Sequence, residues 1–181
     1  VNALLNHCKL SMTNSEKPGI VHRLDKVTTG LIICAKDEEK HLKLVYMFSK
    51  RDISKKYLAI CNGSFSKESG FIDKPIGRDE KDRKKMSVKS KSGKEALTEY
   101  NILTSNLKYS LVDVTLHTGR THQIRVHLAS IGVPIIGDKL YSKDGYKYEK
   151  MYLGALKVVF PHPVTGNTLE IQSSIKKDFI Q

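Results

Sequence analysis

Residues 18–30 read PGIVHRLDKVTTG and place one carboxylate, Asp25, in a short stretch of cationic and hydrogen-bonding side chains. His22 and Arg23 precede the carboxylate, and two threonines and a glycine follow it. The apolar run of residues 31–35 comes next and predicts a buried strand. A carboxylate among cations, held in a loop beside a buried strand, is the kind of arrangement that an active site on a polyanion needs.

A second stretch has the same character. Residues 116–128 read LHTGRTHQIRVHL and contain two of the six arginines of the chain. Arg120 precedes a predicted helix, and a helix N-terminus favours anions. Arg125 comes one position after the apolar Ile124, so its side chain can point inward toward a carboxylate and fix its rotamer.

Composition and charge limit the class of protein. The chain has 181 residues, 39% of them hydrophobic, which predicts one domain over residues 1–181. Lys and Arg total 31 against 19 Asp and Glu, a net charge of +12, which favours a polyanionic partner. The three cysteines form no C-x-x-C pair, which argues against a disulfide framework and for a reducing, cytoplasmic setting. No apolar run approaches the roughly 20 residues that span a bilayer, so no membrane partner is expected.

The periodicity of the sequence predicts an α+β fold in which strands cluster without regular βαβ alternation. Helices are expected over residues 1–10 and from Asp37 to Arg51, where acidic residues open and basic residues close the segment. Another helix is expected to be capped by Thr121 and to end at Gly132. The remaining strands are predicted over residues 57–61, 96–103, 109–116, 152–160 and 168–172.

One segment, residues 74–94, carries half of the excess positive charge and is called the basic hairpin below. Its nine basic and three acidic residues give it a net charge of +6, and its serines and Gly93 predict a mobile hairpin or loop. It could be a solvated lysine-rich loop or an arm that tracks phosphates. The basic residues are Lys74, Arg78, Lys81, Arg83, Lys84, Lys85, Lys89, Lys91 and Lys94.

The residue patterns disfavour two other kinds of site. His117, His122 and His127 are spaced by five, which turns successive side chains to different faces of a helix or strand, so no metal site is expected. The sequence also lacks both glycine-rich phosphate-binding motifs. From the residues alone, the chain is interpreted as a basic RNA- or DNA-binding domain, with an enzyme as the open alternative.

A resemblance to a known family adds to this interpretation. Residues 18–30 and 118–128 closely resemble the two long signatures of the RluA family of RNA pseudouridine synthases. Lys56-Tyr57-Leu58-Ala59 is similar to the short Lys-Tyr element of the family, and further matching segments follow in the usual order from about residue 1 to residue 179.

The resemblance implies both a fold and an activity. The fold is the pseudouridine synthase fold, a mixed, mainly antiparallel sheet with flanking helices and loops around a central RNA-binding cleft. The activity is the isomerisation of specific uridines in RNA to pseudouridine, without cofactor or metal. By position, Asp25 matches the nucleophile, Arg125 the arginine that pairs with it, and Tyr57 the tyrosine that lies against the target base.

The resemblance also implies an RNA-binding set. Arg23 matches the arginine that enters the space vacated by the flipped base, and the other residues are expected to order loops or contact phosphates. The expected set is His22, Arg23, Arg78, Lys84, Lys85, Arg120, His122 and Gln123. The expected substrate is large-subunit ribosomal RNA, with transfer RNA as the alternative, and the chain is expected to be a monomer.

Three departures from the family pattern leave alternatives open. Thr29 replaces a serine, and Gly154 replaces the histidine of a Leu-His-Ala triplet. The first family strand and any N-terminal RNA-binding domain would precede Val1, which predicts a catalytic domain trimmed at its front. One alternative is therefore a catalytically weak or inactive RNA-binding domain of the same fold. A metal-dependent nuclease is the other, and the histidine spacing disfavours it.

Overall fold

A seven-stranded sheet is the framework of the protein. A computed structural model describes residue 4, residues 6–175 and residue 179. The sheet order is β1-β8-β2-β7-β6-β3, and β9 pairs with β8 along the edge that β1 also uses. β1 runs parallel to β8, and the other paired strands of this sheet are antiparallel. The strands are β1 Thr29–Gly30, β2 Ser54–Asn62, β3 Ser69–Asp73, β4 Gly77–Arg78, β5 Met86–Ser87, β6 Leu97–Ser105, β7 Tyr109–Leu116, β8 Leu153–Pro161 and β9 Thr168–Gln172.

Buried residues alternate along the central strands and form the main hydrophobic core. Val112 and Val114 of β7 are fully buried and pair in register with Ala59 and Tyr57 of β2. The same face packs against Leu128 of the second helix. The strands predicted over residues 57–61, 96–103, 109–116, 152–160 and 168–172 are thereby confirmed, with β2 starting three residues earlier. The mixed sheet with flanking helices confirms the α+β class.

The first helix, α1, spans Glu38–Lys50 as its capping residues predict. The side chain of Asp37 accepts the N–H of Lys40 at the N-terminus, and Arg51 ends the helix in the left-handed region at φ 64°. Its buried residues Leu44 and Met47 pack against β8, which fixes the helix on the sheet.

The second helix, α2, spans Gln123–Ser130 and differs from the prediction at its start. Gly132 follows the helix at φ +85°, as expected for a residue just past a helix end. The predicted cap at Thr121 is wrong, because His122 occupies the N-cap position at φ 56° and makes no side-chain capping bond. The first turn is held instead by Gln123, whose side-chain oxygen accepts the backbone N–H of Arg120.

The strand predicted over residues 31–35 is also wrong. The run is apolar enough for a strand, but three irregular partners take its backbone N–H groups. Leu31 donates to the carbonyl of Ala155, Ile33 to the His22 ring and Ala35 to the carbonyl of Gly19. Ladder pairing is limited to β1 just before it and to one isolated bridge between Ile20 and Cys34. The segment is therefore a strap beneath the residue 18–30 loop.

Two glycines, Gly30 on β1 and Gly154 on β8, occupy positions where a side chain would not fit. Gly30 has φ +105°, and a Cβ there would collide with the backbone of Ala155. A Cβ on Gly154 would collide with the side chain of Ile175, so an apolar group fills the space where the family pattern places a histidine. Of the helix predicted over residues 1–10, residues 1–3 and 5 lie outside the described residues, and residues 6–10 form turns and irregular backbone instead of a helix.

Candidate active site

The loop that carries Asp25 enters the sheet at one end through β1, and at the other end Ile20 forms a bridge with Cys34 of the strap. The carbonyl of Asp25 accepts the N–H of Thr28 at 2.9 Å, which closes a turn just before β1. His22 Nε2 accepts the N–H of Ile33 at 2.7 Å, and its ring lies 4.8 Å from that of Phe48, centroid to centroid. These contacts fix the position of the carboxylate without any regular secondary structure.

Arg125 projects from α2 toward this loop and is 4% exposed. Its Nε and Nη2 donate to the two carboxylate oxygens of Asp138, each at 2.8 Å, while Nη1 lies 3.3 Å from Oδ2 of Asp25. Burial opposes the charge, but the two carboxylates outweigh burial and raise the pKa of Arg125. The guanidinium is thus held rigidly by Asp138 and offers its remaining edge to Asp25.

Asp138 is the residue that sequence reasoning missed. It is 1% exposed, and its Oδ1 also accepts the backbone N–H groups of Leu140 and Tyr141. The Tyr141 ring lies beneath the guanidinium of Arg125, 5.1 Å from ring centroid to Cζ. A buried arginine on an apolar helix face needs a carboxylate partner, and that requirement was the available signal.

Tyr57 lies on β2 with its side chain on the same face of the sheet as α2. Burial, reinforced by the charge of Asp25, raises the pKa of Tyr57 to about 12. The phenol therefore stays protonated at neutral pH and keeps an aromatic face and an O–H donor near the carboxylate.

The two signature stretches meet around one cavity of about 310 Å³, a size that small-molecule sites also have. Asp25, Tyr57 and Arg125 all line it. Its apolar wall is formed by Leu24, Leu116, Ile124 and Leu153.

Two further cavities share lining residues with the central one but none with each other. A groove of about 250 Å³ contains Lys55, whose pKa burial lowers, together with Arg51 and Arg120. A larger groove of about 560 Å³ shares Arg23, Asp25, His122 and Arg125 with the central cavity. The cationic residues that the larger groove adds are Lys26, Lys139 and Lys150.

Five of the residues expected to bind RNA line the central cavity: His22, Arg23, Arg120, His122 and Gln123. His22 and Gln123 use polar side-chain atoms to hold neighbouring segments, and His22 Nε2 accepts the N–H of Ile33. Gln123 Oε1 accepts from Thr118 and Arg120, and Nε2 donates to Leu97 and Thr98, so all four hydrogen-bonding positions of the amide are used. The geometry favours loop ordering for His22 and Gln123 over contact with phosphate.

The other three expected RNA-binding residues, Arg78, Lys84 and Lys85, lie outside the cavity on the basic hairpin. β4 and β5 pair there as a two-stranded unit, so the expected hairpin is present. Arg78 donates to the carbonyl of Arg83 at 2.6 Å, while Lys85 lies 3.9 Å from Asp82. The hairpin meets the site through the backbone N–H of Met86, which donates to the Tyr141 hydroxyl.

Two kinds of feature are absent from the described residues 4, 6–175 and 179. Among these residues, no group of three or more His, Cys, Asp or Glu side chains stands close enough together to hold a metal ion. Likewise, none of the helices described in that part of the chain has the length and apolar character to cross a bilayer.

The sequence of this chain is similar to those of known proteins. Residues 2–130 match the family described as RNA pseudouridylate synthase. The chain belongs to this family. A relative named uncharacterized RNA pseudouridine synthase YlyB, from Bacillus subtilis, is 41% identical over all of this chain and 60% of its own length. Ribosomal large subunit pseudouridine synthase D of Vibrio cholerae is 37% identical over all of this chain and 59% of its own length.

Solved structures of pseudouridylate synthase domains share the fold. Human RNA pseudouridylate synthase domain containing 1 superposes with a TM-score of 0.77 at 26% identity, covering 85% of this chain and 67% of that one. Human RNA pseudouridylate synthase domain containing 4 gives 0.75 at 27% identity over 92% and 75%. The expected pseudouridine synthase fold is thereby confirmed. The chain spans about 60% of the length of the curated relatives named above.

Proposed function

We propose that this chain isomerises uridine to pseudouridine in RNA, with Asp25 as the nucleophile. The observation that carries the proposal is the position of the Asp25 carboxylate, which lines the 310 Å³ cavity within 3.3 Å of a buried arginine. The reaction breaks the bond between the ribose C1′ and N1 of the base and joins C1′ to C5. The C5 proton leaves and N1 gains a proton, so no external reagent is consumed.

A carboxylate suits this chemistry because it can bond covalently to the nucleotide and then leave. Arg125 would serve as the positioning residue for Asp25. Since Asp138 holds two of its guanidinium nitrogens, the third meets Asp25 from a fixed direction. This arrangement is preorganised before RNA binds, which saves the cost of aligning the carboxylate during the reaction.

Tyr57 would contact the uracil. Its ring offers a stacking surface next to the carboxylate, and its raised pKa keeps the phenol neutral, so no negative charge competes with Asp25. The apolar wall of the cavity would exclude water and keep the detached base in place while it turns.

RNA as the substrate is supported by the two grooves. A target nucleotide within a strand is joined to neighbours on both sides, so a site for it needs two exits for the backbone. The groove with Lys55 and Arg120 and the groove with Lys26 and Lys139 each share lining residues with the central cavity but none with each other. Both are rich in cationic side chains, which can hold phosphates without reading the sequence.

Access to a uridine in structured RNA requires the nucleotide to leave its stack, at a cost of a few kcal/mol. Arg23 lines both the central cavity and the larger groove, where a planar guanidinium can stack against the bases that remain. We assign Arg23 to this role. Large-subunit ribosomal RNA is the first substrate to test, because several relatives carry that substrate in their names.

The test measures tritium released from RNA labelled at C5 of uridine, using in vitro transcripts of large-subunit ribosomal RNA and of transfer RNA. Release by the wild-type chain in excess chelator, and its loss in Asp25→Asn, would support the proposal. Tight RNA binding without release would instead identify a catalytically inactive RNA-binding domain. RNA cleavage that chelator abolishes would identify a metal-dependent nuclease.

A further inference from the structure

His122 stands at the entrance of the site in an unusual backbone conformation. It precedes α2 at φ 56°, in the left-handed region that residues other than glycine rarely adopt. The residue lines both the central cavity and the larger groove, so its ring lies where the two meet. A strained conformation at such a place suggests that the position of the ring matters to the site.

One hydrogen-bond chain determines which nitrogen of the ring holds the proton. The hydroxyl oxygen of Tyr141 lies 2.8 Å from the backbone nitrogen of Met86 and 2.8 Å from Nδ1 of His122. A backbone N–H can only donate, so the Tyr141 oxygen accepts from Met86, and His122 Nδ1 is the acceptor that the described contacts offer to the single proton of the hydroxyl. His122 Nδ1 is then an acceptor, and the proton of the neutral imidazole is on Nε2.

The charged groups that face the ring are Asp25, Arg125, Asp138 and Arg23. Burial is the largest influence and lowers the pKa of His122, with the two carboxylates opposing it and the two arginines adding to it. The ring is therefore neutral at neutral pH. Tyr141 is fixed by the same network, since Asp138 accepts its backbone N–H.

We propose that His122 donates its Nε2–H to a carbonyl oxygen of the target uracil, and that Tyr141 is the positioning residue that selects this tautomer. This inference rests on the proposed function. A neutral donor suits the place, because a lysine or arginine there would pair with Asp25 and compete with the nucleotide for the carboxylate. A uracil detached from its ribose keeps two carbonyl acceptors, so the donor would restrain the base while it turns.

The same hydrogen-bond chain links the basic hairpin to the candidate active site. Met86 belongs to β5 of the basic hairpin, so the hairpin supplies the N–H that orients the Tyr141 hydroxyl. A hairpin that moves away from the body of the protein would free that hydroxyl to rotate. The tautomer of His122 would then no longer be fixed.

The first test needs no substrate. Two-bond nitrogen–proton NMR spectra of the free protein identify the His122 tautomer from the chemical shifts of its two ring nitrogens. The wild-type chain should show the Nε2–H form as the major species at neutral pH, and Tyr141→Phe should show a mixture of tautomers. A major Nδ1–H form in the wild-type chain would overturn the proposal.

The second test measures tritium release from a C5-labelled transcript of large-subunit ribosomal RNA. His122→Gln keeps a side-chain N–H donor and His122→Met does not, while both carry the same cost of the left-handed backbone. His122→Met should lower kcat about tenfold, the equivalent of one lost hydrogen bond, and His122→Gln should stay within about threefold of wild type. Tyr141→Phe should lower kcat about threefold with little change in KM.

Equal rates for the Gln and Met variants would overturn the role of His122 as a donor. An inactive wild-type chain would overturn the proposed function and, with it, the contact to uracil. The NMR measurement would still decide the tautomer in that case, so the two failures can be told apart. Circular dichroism of each variant checks that a lost rate does not come from a lost fold.

Discussion

Arg125 and the cationic residues of the basic hairpin carry the same charge in opposite surroundings. Arg125 is nearly inaccessible, and its three guanidinium nitrogens meet two carboxylates at 2.8, 2.8 and 3.3 Å. The hairpin residues Lys84, Lys89 and Lys91 are exposed, while Lys85 has one distant carboxylate partner at 3.9 Å. The carboxylate partners of Arg125 fix the direction in which its charge points, whereas the exposed lysines of the basic hairpin have no such partners among the described residues to orient them.

The two regions can therefore contribute to function in different ways. A buried ion pair depends strongly on geometry, because removing or misplacing one partner leaves an uncompensated charge out of water. Exposed charges are screened and nearly interchangeable, and their effects accumulate with their number. Substitutions in the cleft should therefore act singly and strongly, whereas substitutions in the hairpin should act weakly and in proportion to the charge removed.

The largest effect is expected for Asp25→Asn. The change is nearly isosteric and removes the nucleophile, so pseudouridine formation should fall by at least about a thousandfold, while RNA affinity stays within a few fold. Tritium release and a filter-binding titration measure the two quantities. The matched control is Asp144→Asn, which removes an exposed carboxylate paired with Lys147 and should leave both unchanged. Residual turnover above about one percent of wild type would contradict the nucleophile assignment.

The second-largest effect is expected for Arg125→Lys, which keeps the positive charge but loses the planar guanidinium that binds two carboxylates at once. An ammonium cannot span both oxygens of Asp138 and still reach Asp25, so turnover should fall about a hundredfold and the free energy of unfolding by about 1–3 kcal/mol. Tritium release and urea denaturation measure these changes. The same exchange at the exposed Arg83 of the hairpin is the control and should change neither. Equal effects at the two positions would remove the contrast between the regions.

The sequence was informative wherever local rules determine the structure. The cap at Asp37, the glycine after α2 and the alternation of β6 and β7 each depend on residues within a few positions of one another. Asp25, Tyr57 and Arg125 could be singled out because two long stretches and a short one resemble a family signature. The structure brings all three to one cavity.

The rest depended on contacts that no local pattern specifies. Residues 31–35 have the composition of a strand, but the His22 ring and the carbonyls of Ala155 and Gly19 take their N–H groups. Asp138 was missed, because only the folded chain shows that it holds Arg125. Tyr141 was missed for the same reason, since its hydroxyl joins residues 55 and 19 positions away.

The contrast between buried and exposed groups also predicts how stability depends on pH. Burial, with the charge of Lys55 adding to it, lowers the pKa of His22 to about 4 against 6.5 in an unfolded chain. Between these values the unfolded chain binds more protons than the folded one, so acid favours unfolding. The free energy of unfolding should fall by about 2 kcal/mol from this group as the pH drops from about 7.5 to about 5.

Urea denaturation at the two pH values measures this effect in the wild-type chain and in His22→Gln, whose amide oxygen can still accept the N–H of Ile33. Other titrating groups are common to both proteins, so the difference between their pH dependences isolates His22. The variant should lose about 2 kcal/mol less than wild type over the same range. Identical pH dependence would mean that the His22 ring is open to solvent and does not hold the strap in place.

The smallest effect is expected on the basic hairpin, where four exposed or half-exposed lysines, Lys84, Lys85, Lys89 and Lys91, are replaced together by glutamine. If these lysines track phosphates, affinity should fall equally for matched and unmatched RNA, because a phosphate contact carries no sequence information. Each lost contact should also flatten the slope of log affinity against log salt by about 0.7 to 0.9. Turnover at saturating RNA should stay near that of the wild-type chain.

The control removes the same number of charges elsewhere, by the glutamine replacement of Lys40, Lys43, Lys67 and Lys108. Lys40 and Lys43 lie on α1 in exposed pairs with Asp37 and Glu39, and Lys108 lies at the turn between β6 and β7, away from the cavity. Because net charge changes equally in both variants, only a local contact with RNA can make the hairpin variant weaker. An unchanged salt slope in the hairpin variant, or an equal change in the control, would mean that the hairpin is solvated surface and that the grooves beside Asp25 hold the RNA without it.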